Sequence, residues 1–141
     1  MKELIAADSN ICRNYKLLTS IKGVGPITAI VMLCSTLNFT KITDHRKFAC
    51  YCGLAPFEHS SGTSVRGGCH TSSMANRDIK VQLNRSALIA IRCDPQLKAY
   101  YERKVAEGKH KFSVLNAVRA KIAARCFAVV RRGTPYVALQ I

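Results

Sequence analysis

The chain has 141 residues, of which 22 are Lys or Arg and 8 are Asp or Glu, for a formal net charge of +14. That length makes one domain with a real core, and a hydrophobic share of 48% excludes a disordered basic tail. The charge excess calls for a polyanion, DNA or RNA, as partner. A membrane surface fits less well, since no segment joins a basic face to exposed aromatics. The apolar stretch Ile27 to Leu33 is too short to span a bilayer, and no signal peptide is read.

Apolar spacing predicts a first helix over Leu4 to Thr19, with Leu4, Ile11, Tyr15 and Leu18 on one face. Ile21-Lys22-Gly23-Val24-Gly25-Pro26-Ile27-Thr28-Ala29 follows. Gly23 and Gly25 are expected to supply positive φ in a tight hairpin, and Pro26 is preset for a first helical position. The next helix, Ile27 to Leu37, is apolar nearly all round and is expected at the centre of the fold. Its free N-terminal N–H groups make a phosphate site. This pattern, over about residues 15–37, reads as a helix-hairpin-helix that grips nucleic-acid backbone without reading bases. An ordinary helix-turn-helix connection carries the same Gly and Pro punctuation.

Thr43 and Asp44 offer caps for a short helix through Cys52, with Phe48 and Tyr51 turned inward. Residues 53–73 then lose apolar periodicity, and a loop of this length in a compact domain is functional more often than connective. It contains Ser60-Ser61-Gly62-Thr63-Ser64-Val65-Arg66. Ser61 is a small hydroxyl nucleophile beside a glycine, and Arg66 is a guanidinium suited to bidentate phosphate contact. The same composition also suits a solvated Ser/Gly loop without chemistry. His59 is a conceivable base, although a loop histidine is more often simply solvated.

Beyond the loop, Asn76 is expected to cap a helix through Arg92 whose core stripe is Ile79, Leu83, Ala87 and Ala90. Arg77, Lys80 and Asn84 share the opposite side, where solvent and phosphate contact are equally suited. Asp94-Pro95 opens a further helix carrying Leu97, Tyr100, Tyr101 and Val105, which stops at Gly108. The last helix, Ser113 to Arg132, turns Val114, Val118, Ile122 and Val129 inward, and Lys121, Arg125 and Arg132 read as its solvated face. The fold class is therefore all-α: about six helices around the hairpin, with a long Ser/Gly-rich loop, in a single domain.

The seven cysteines are an odd number with no C-x-x-C pair, so they read as small core hydrophobes of a reducing cytoplasm. Cys50, Cys52, His59, Cys69 and His70 match no zinc-ligand spacing, and no metal is assigned to this chain.

Taken in order, S-I-K-G-V-G-P-I-T-A, R-K-F-A-C-Y-C-G-L-A-P, S-S-G-T-S-V-R-G and the basic-faced helix resemble the C-terminal transposase domain of the DEDD-type insertion-sequence transposases, relatives of the pilin-gene DNA invertase. The resemblance runs from about Leu17 to Val137. It implies that Ser61 is the nucleophile joined covalently to DNA, with Arg66 supplying charge to the phosphate. Lys22, Gly23, Gly25, Thr28, Ser60, Gly62, Ser64, Arg77 and Lys80 are then expected to meet the DNA backbone. Two positions depart from the family pattern: Ser73 stands where a lysine is usual, and Ala75 where a glycine is usual.

The resemblance also implies an N-terminal RuvC-like domain whose four acidic residues hold divalent metal, Mg²⁺. That domain is expected to be missing here, which makes the chain a transposase fragment, inactive by itself. The partners implied by the resemblance are DNA, a guide RNA, the RuvC-like domain or full-length transposase, and further copies in the complete enzyme; the setting is a bacterial or archaeal cytoplasm. A non-enzymatic helix-hairpin-helix DNA binder is the alternative reading. An RNA-binding protein is a third, and the lack of an aromatic platform for unpaired bases counts against it.

Overall fold

The structure is a computed structural model that describes residues 2–54 and 74–138. Its described residues form seven helices and no strand, so the chain is all-α. In chain order these are α1 (Lys2–Ala7), α2 (Ser9–Thr19), α3 (Pro26–Ser35), α4 (His45–Tyr51), α5 (Met74–Cys93), α6 (Pro95–Ala106) and α7 (Lys111–Arg132). The long helices α5 and α7 pack on each other; α3 leans on α5, α4 on α7, α6 on both, and α2 bridges α3 and α7. No helix among the described residues is long and apolar enough to cross a membrane.

Short polar side chains set most of the boundaries. The single first helix expected from periodicity is broken at Asp8, whose carboxylate accepts from the N–H groups of Asn10 and Ile11 and starts α2. An Asp there competes with the preceding helix for the backbone. Leu4, expected inward, is consequently 75% exposed on the detached α1. Asp44 caps α4 through the Arg46 N–H, and Asp94 caps α6 through Gln96 and Leu97 with Pro95 at the first turn. Helix α5 begins at Met74, which puts Asn76 inside its first turn rather than at its cap. His110 caps α7 by accepting from the Phe112 N–H, and Gly133 ends it in the left-handed region.

The core lies where these helices meet. Leu18, Met32, Phe48, Leu83, Val118 and Ile122 are all but inaccessible. Phe127 receives Phe39 edge-on at 4.9 Å between centroids and Phe48 at 5.4 Å. The expected stripes of α5 and α7 are buried as read, whereas Tyr51 turns outward. Helix α3 is less central than its composition suggests: Ala29 and Met32 are buried, but Ile27 at its start and Leu37 just past its end are exposed.

Past α3 the chain makes an unusual turn, with Leu37, Asn38 and Phe39 all at positive φ (48°, 56° and 62°). Each costs roughly 1–2 kcal/mol for a residue with a Cβ. The turn is held by Asn14 donating to Asn38 Oδ1 at 2.7 Å, by the Phe39 N–H donating to Thr36 Oγ1, and by burial of the Phe39 ring.

A close backbone approach joins the α2–α3 turn to α5. Gly23 has φ +94°, and a Cβ built there would stand 2.7 Å from the Ser86 carbonyl oxygen and 3.0 Å from Ala90 Cβ. Gly25 departs from expectation: its φ of −90° is ordinary extended backbone, and a Cβ there would meet nothing within 4 Å. Gly23→Ala is therefore expected to cost about 2–4 kcal/mol, combining left-handed strain with overpacking. Gly25→Ala should cost less than about 1 kcal/mol as a change of N-cap. Urea unfolding of the two variants measures the difference, and equal losses would refute this assignment.

A second anchor ties α6 to α7. Asp94, with its side chain 2% exposed, accepts from Arg125 at 2.7 Å, and Arg125 also donates to Gln96 Oε1 and stacks over Tyr136 at 4.8 Å. Burial works against the Asp94 charge, but the hydrogen bond from Arg125 and those from the Leu97 and Gln96 N–H groups outweigh it, so its pKa lies below the ordinary value. Arg125, read from sequence as part of a solvated face, is thus structural. Because the folded pKa is depressed, this contribution is complete above the ordinary carboxylate range and is lost as pH falls through the folded value. Arg125→Met should cost about 3–5 kcal/mol by stranding a buried carboxylate. That cost should shrink as pH falls and the stranded carboxylate is protonated, as followed by denaturant midpoints of the two chains between about pH 2 and 7.

Candidate nucleic-acid interface

The turn between α2 and α3 is pinned from below by Ile21 and Val24, both buried, which leaves Lys22 between them exposed. The first α-helical bond of α3 runs from the Ala29 N–H to the Gly25 carbonyl at 3.0 Å. The N–H groups of Ile27 and Thr28 precede that bond at the helix start, where backbone donors favour an anion. The Thr28 side chain, expected among the phosphate contacts, is committed elsewhere: it is buried and its hydroxyl shares a 3.0 Å hydrogen bond with Ser86 on α5. It stitches α3 to α5, leaving only its backbone for a ligand.

A second basic feature lies between α5 and α7, where Arg77, Lys80, Val81, Asn84, Arg85 and Arg119 line a cleft of 280 Å³. Spacing explains it: Arg77, Lys80, Asn84 and Arg85 lie along one side of α5, away from the Ile79–Leu83–Ala87–Ala90 stripe. Arg77, Lys80 and Arg85 are exposed. Arg119 is half-buried; it donates through Nη2 to Asn84 Oδ1 at 2.9 Å, and burial lowers its pKa. Its Nε has no hydrogen-bond partner among the described residues. No acidic side chain among the described residues lines the cleft.

The cleft brings Arg77 and Lys80 together, whereas Gly23 approaches α5 elsewhere, at Ser86 and Ala90. Sequence reading missed Arg119 and Arg85. For Arg119 a signal existed: it stands between Leu115 and Ile122, both buried and at helical spacing, so its stem had to be half-buried.

Ser61 and Arg66, with Ser60, Gly62 and Ser64, lie outside the described residues, as do His59, Ser73, Cys69 and His70. The chain on either side of that segment is described. Leu54 is buried, and its carbonyl accepts from Asn116 Nδ2 at 2.8 Å, one helical turn before Arg119 on α7. Burial pushes the neighbouring Cys52 thiol up to about 12, opposed by the charge of Lys80. Leu54 thus lies beside Asn116, and α5 begins at Met74, three residues before Arg77.

No group of three or more His, Cys, Asp or Glu side chains among the described residues is placed to hold a metal. Three of the acids are committed as helix caps, Asp8, Asp44 and Asp94, and Glu107 pairs with Lys104 at 3.0 Å. This donor set does not fit a divalent-metal centre.

Comparison with known proteins gives the class. Residues 15–102 match the model of the Transposase IS116/IS110/IS902 family. The chain is 39% identical over 120 residues to an uncharacterized 43.6 kDa protein of insertion element IS110 from Streptomyces coelicolor, covering 84% of this chain and 29% of that one. It is 24% identical over 135 residues to the pilin gene-inverting protein of Moraxella bovis, covering 95% and 42%. An uncharacterized 42 kDa protein of insertion element IS900 from Mycobacterium paratuberculosis is 30% identical over 112 residues, covering 78% and 28%. The chain belongs to the IS116/IS110/IS902 transposase family. It spans less than half the length of these relatives.

Proposed function

We propose that this chain is the strand-transfer part of a transposase, the C-terminal domain of a DEDD-type enzyme, which binds duplex DNA through its backbone and supplies Ser61 as nucleophile. The observation that carries the reading is a basic cleft, without an acid among the described residues that line it, one helical turn from the Asn116–Leu54 hydrogen bond. Ser61 follows Leu54 by seven residues in the sequence. Arg66, Arg77 and Lys80 hold the phosphate, while Lys22 and the N-terminal end of α3 act as a helix-hairpin-helix grip on a second stretch of backbone.

Attack by Ser61 Oγ on phosphorus forms a phosphoserine ester and breaks the bond to one bridging oxygen, which leaves as the strand's free hydroxyl. An unactivated serine is a poor nucleophile, and positive charge on the non-bridging oxygens is required as well. Arg66 contributes to that charge. Magnesium, held by a RuvC-like domain of the complete enzyme, supplies the remainder of the charge stabilisation when bound. The enzyme works in a bacterial or archaeal cytoplasm, as an oligomer and with a guide RNA.

Two outcomes are expected. With four to six phosphate contacts, log affinity of the chain for duplex DNA should fall against log salt with a slope of roughly −4 to −5, whatever the sequence. A slope near zero, or binding confined to one sequence, counts against backbone recognition. The chain alone should not cut DNA; with the RuvC-like domain, magnesium and guide RNA added, a covalent protein–DNA adduct should form and vanish in Ser61→Ala. Cleavage by the lone chain, or an adduct that survives the substitution, refutes the composite site.

A further inference from the structure

Arg119 stands apart among the described cations. Its guanidinium is partly desolvated, with one Nη bound to the Asn84 amide oxygen and a buried Nε lacking any acceptor among the described residues. An arginine drawn out of water normally meets a carboxylate, as Arg125 does at Asp94. Arg119 instead lines a cleft shared with Arg77, Lys80 and Arg85. Among the described residues four cations converge there with one amide and no acid, so their charges are left to be met by an anion. At 280 Å³ it lies just under the usual range for small-molecule sites, which suits a single compact group.

We infer that the α5–α7 cleft is a phosphate seat: Arg119, through the Nη donors that Asn84 leaves free, receives the non-bridging oxygens of one phosphodiester, and Arg77, Lys80 and Arg85 complete the charge around it. The guanidinium fork matches two phosphate oxygens in a way a lysine cannot. Asn84 fixes the far side of the fork and so sets its direction before the ligand arrives. Asn116 stands one turn away holding Leu54, the last described residue before the Ser61 segment. That the occupant is a backbone phosphate neighbouring the one attacked rests on the function proposed above; that the cleft takes a phosphodiester does not.

The full chain, ¹⁵N-labelled, is titrated with a thymidine dinucleotide, which carries a single phosphodiester, and separately with inorganic phosphate. The Nε–H resonance of Arg119, assigned by its loss in Arg119→Gln, should shift saturably with either probe. The dinucleotide should bind at least about tenfold more weakly to Arg119→Gln, with Arg119→Lys between the two. On duplex DNA, Arg119→Gln should lower affinity about tenfold and reduce the salt slope by about one. Lys121→Gln, on the α6 side of α7, should change neither. An Nε–H resonance unmoved at high phosphate overturns the seat, and because it is read in the unsubstituted chain it needs no variant to fold. Duplex binding that depends on Arg77 and Lys80 but ignores Arg119→Gln overturns the seat and leaves the transposase reading standing. A dinucleotide-induced Nε–H shift in a chain that fails to bind duplex DNA upholds the seat and overturns that reading.

Discussion

The approach of the α2–α3 turn to α5 is the constraint on which the rest of the structure depends. Gly23 lies where no side chain fits, over the Ser86 carbonyl and Ala90. The Thr28–Ser86 hydrogen bond then closes the crossing a turn further on. Small residues make the approach possible: Ala29, Ala87 and Ala90 are fully buried at the same contact. Because the backbones touch, the direction of α3 is fixed relative to α5 rather than cushioned by side chains. Lys22 and the N-terminal donors of α3 are carried with it.

Helix α7 gives the other half of the framework. Through Phe127 it receives Phe39 and Phe48, through Arg125 it holds the cap of α6, and through Asn116 it fixes the last described residue before the serine segment. One helix thus sets the position of a structural ion pair and of a cation with no acid beside it among the described residues, six residues apart at Arg125 and Arg119. The two show how context decides an arginine's role. A guanidinium with an aspartate is a clamp, and one without is a receptor.

Much of this was legible in the sequence because it follows from local chemistry. The Asp-Pro start of α6, the core stripes of α5 and α7, and the Asp44 cap rest on spacing and capping alone, and the structure has them where they were expected. Errors fell where a short polar residue or a distant partner decided the outcome. Asp8 broke a periodic helix by offering its first turn a better acceptor. Gly23 and Gly25 looked equivalent, and only the proximity of α5 distinguishes a glycine forced by sterics from one in open space. Thr28 read as a phosphate contact because a hydroxyl at a helix start suits one, and its partner is 58 residues away. Arg125 and Arg119 look alike on a helical wheel; what separates them is Asp94 on another helix.

The left-handed run at Leu37–Phe39 has a consequence for how the chain folds. Three strained residues in succession are unfavourable until the Phe39 ring reaches Phe127, which lies far along the sequence, and Asn14 reaches Asn38. Closing so long a loop is entropically expensive, so this turn belongs to the late, high-contact-order part of the folding reaction. In the native state the order runs backwards. Loosening of α7 withdraws the support that keeps those φ angles positive, so the turn becomes a point of early local opening, coupled to the far end of the fold rather than to its own neighbours.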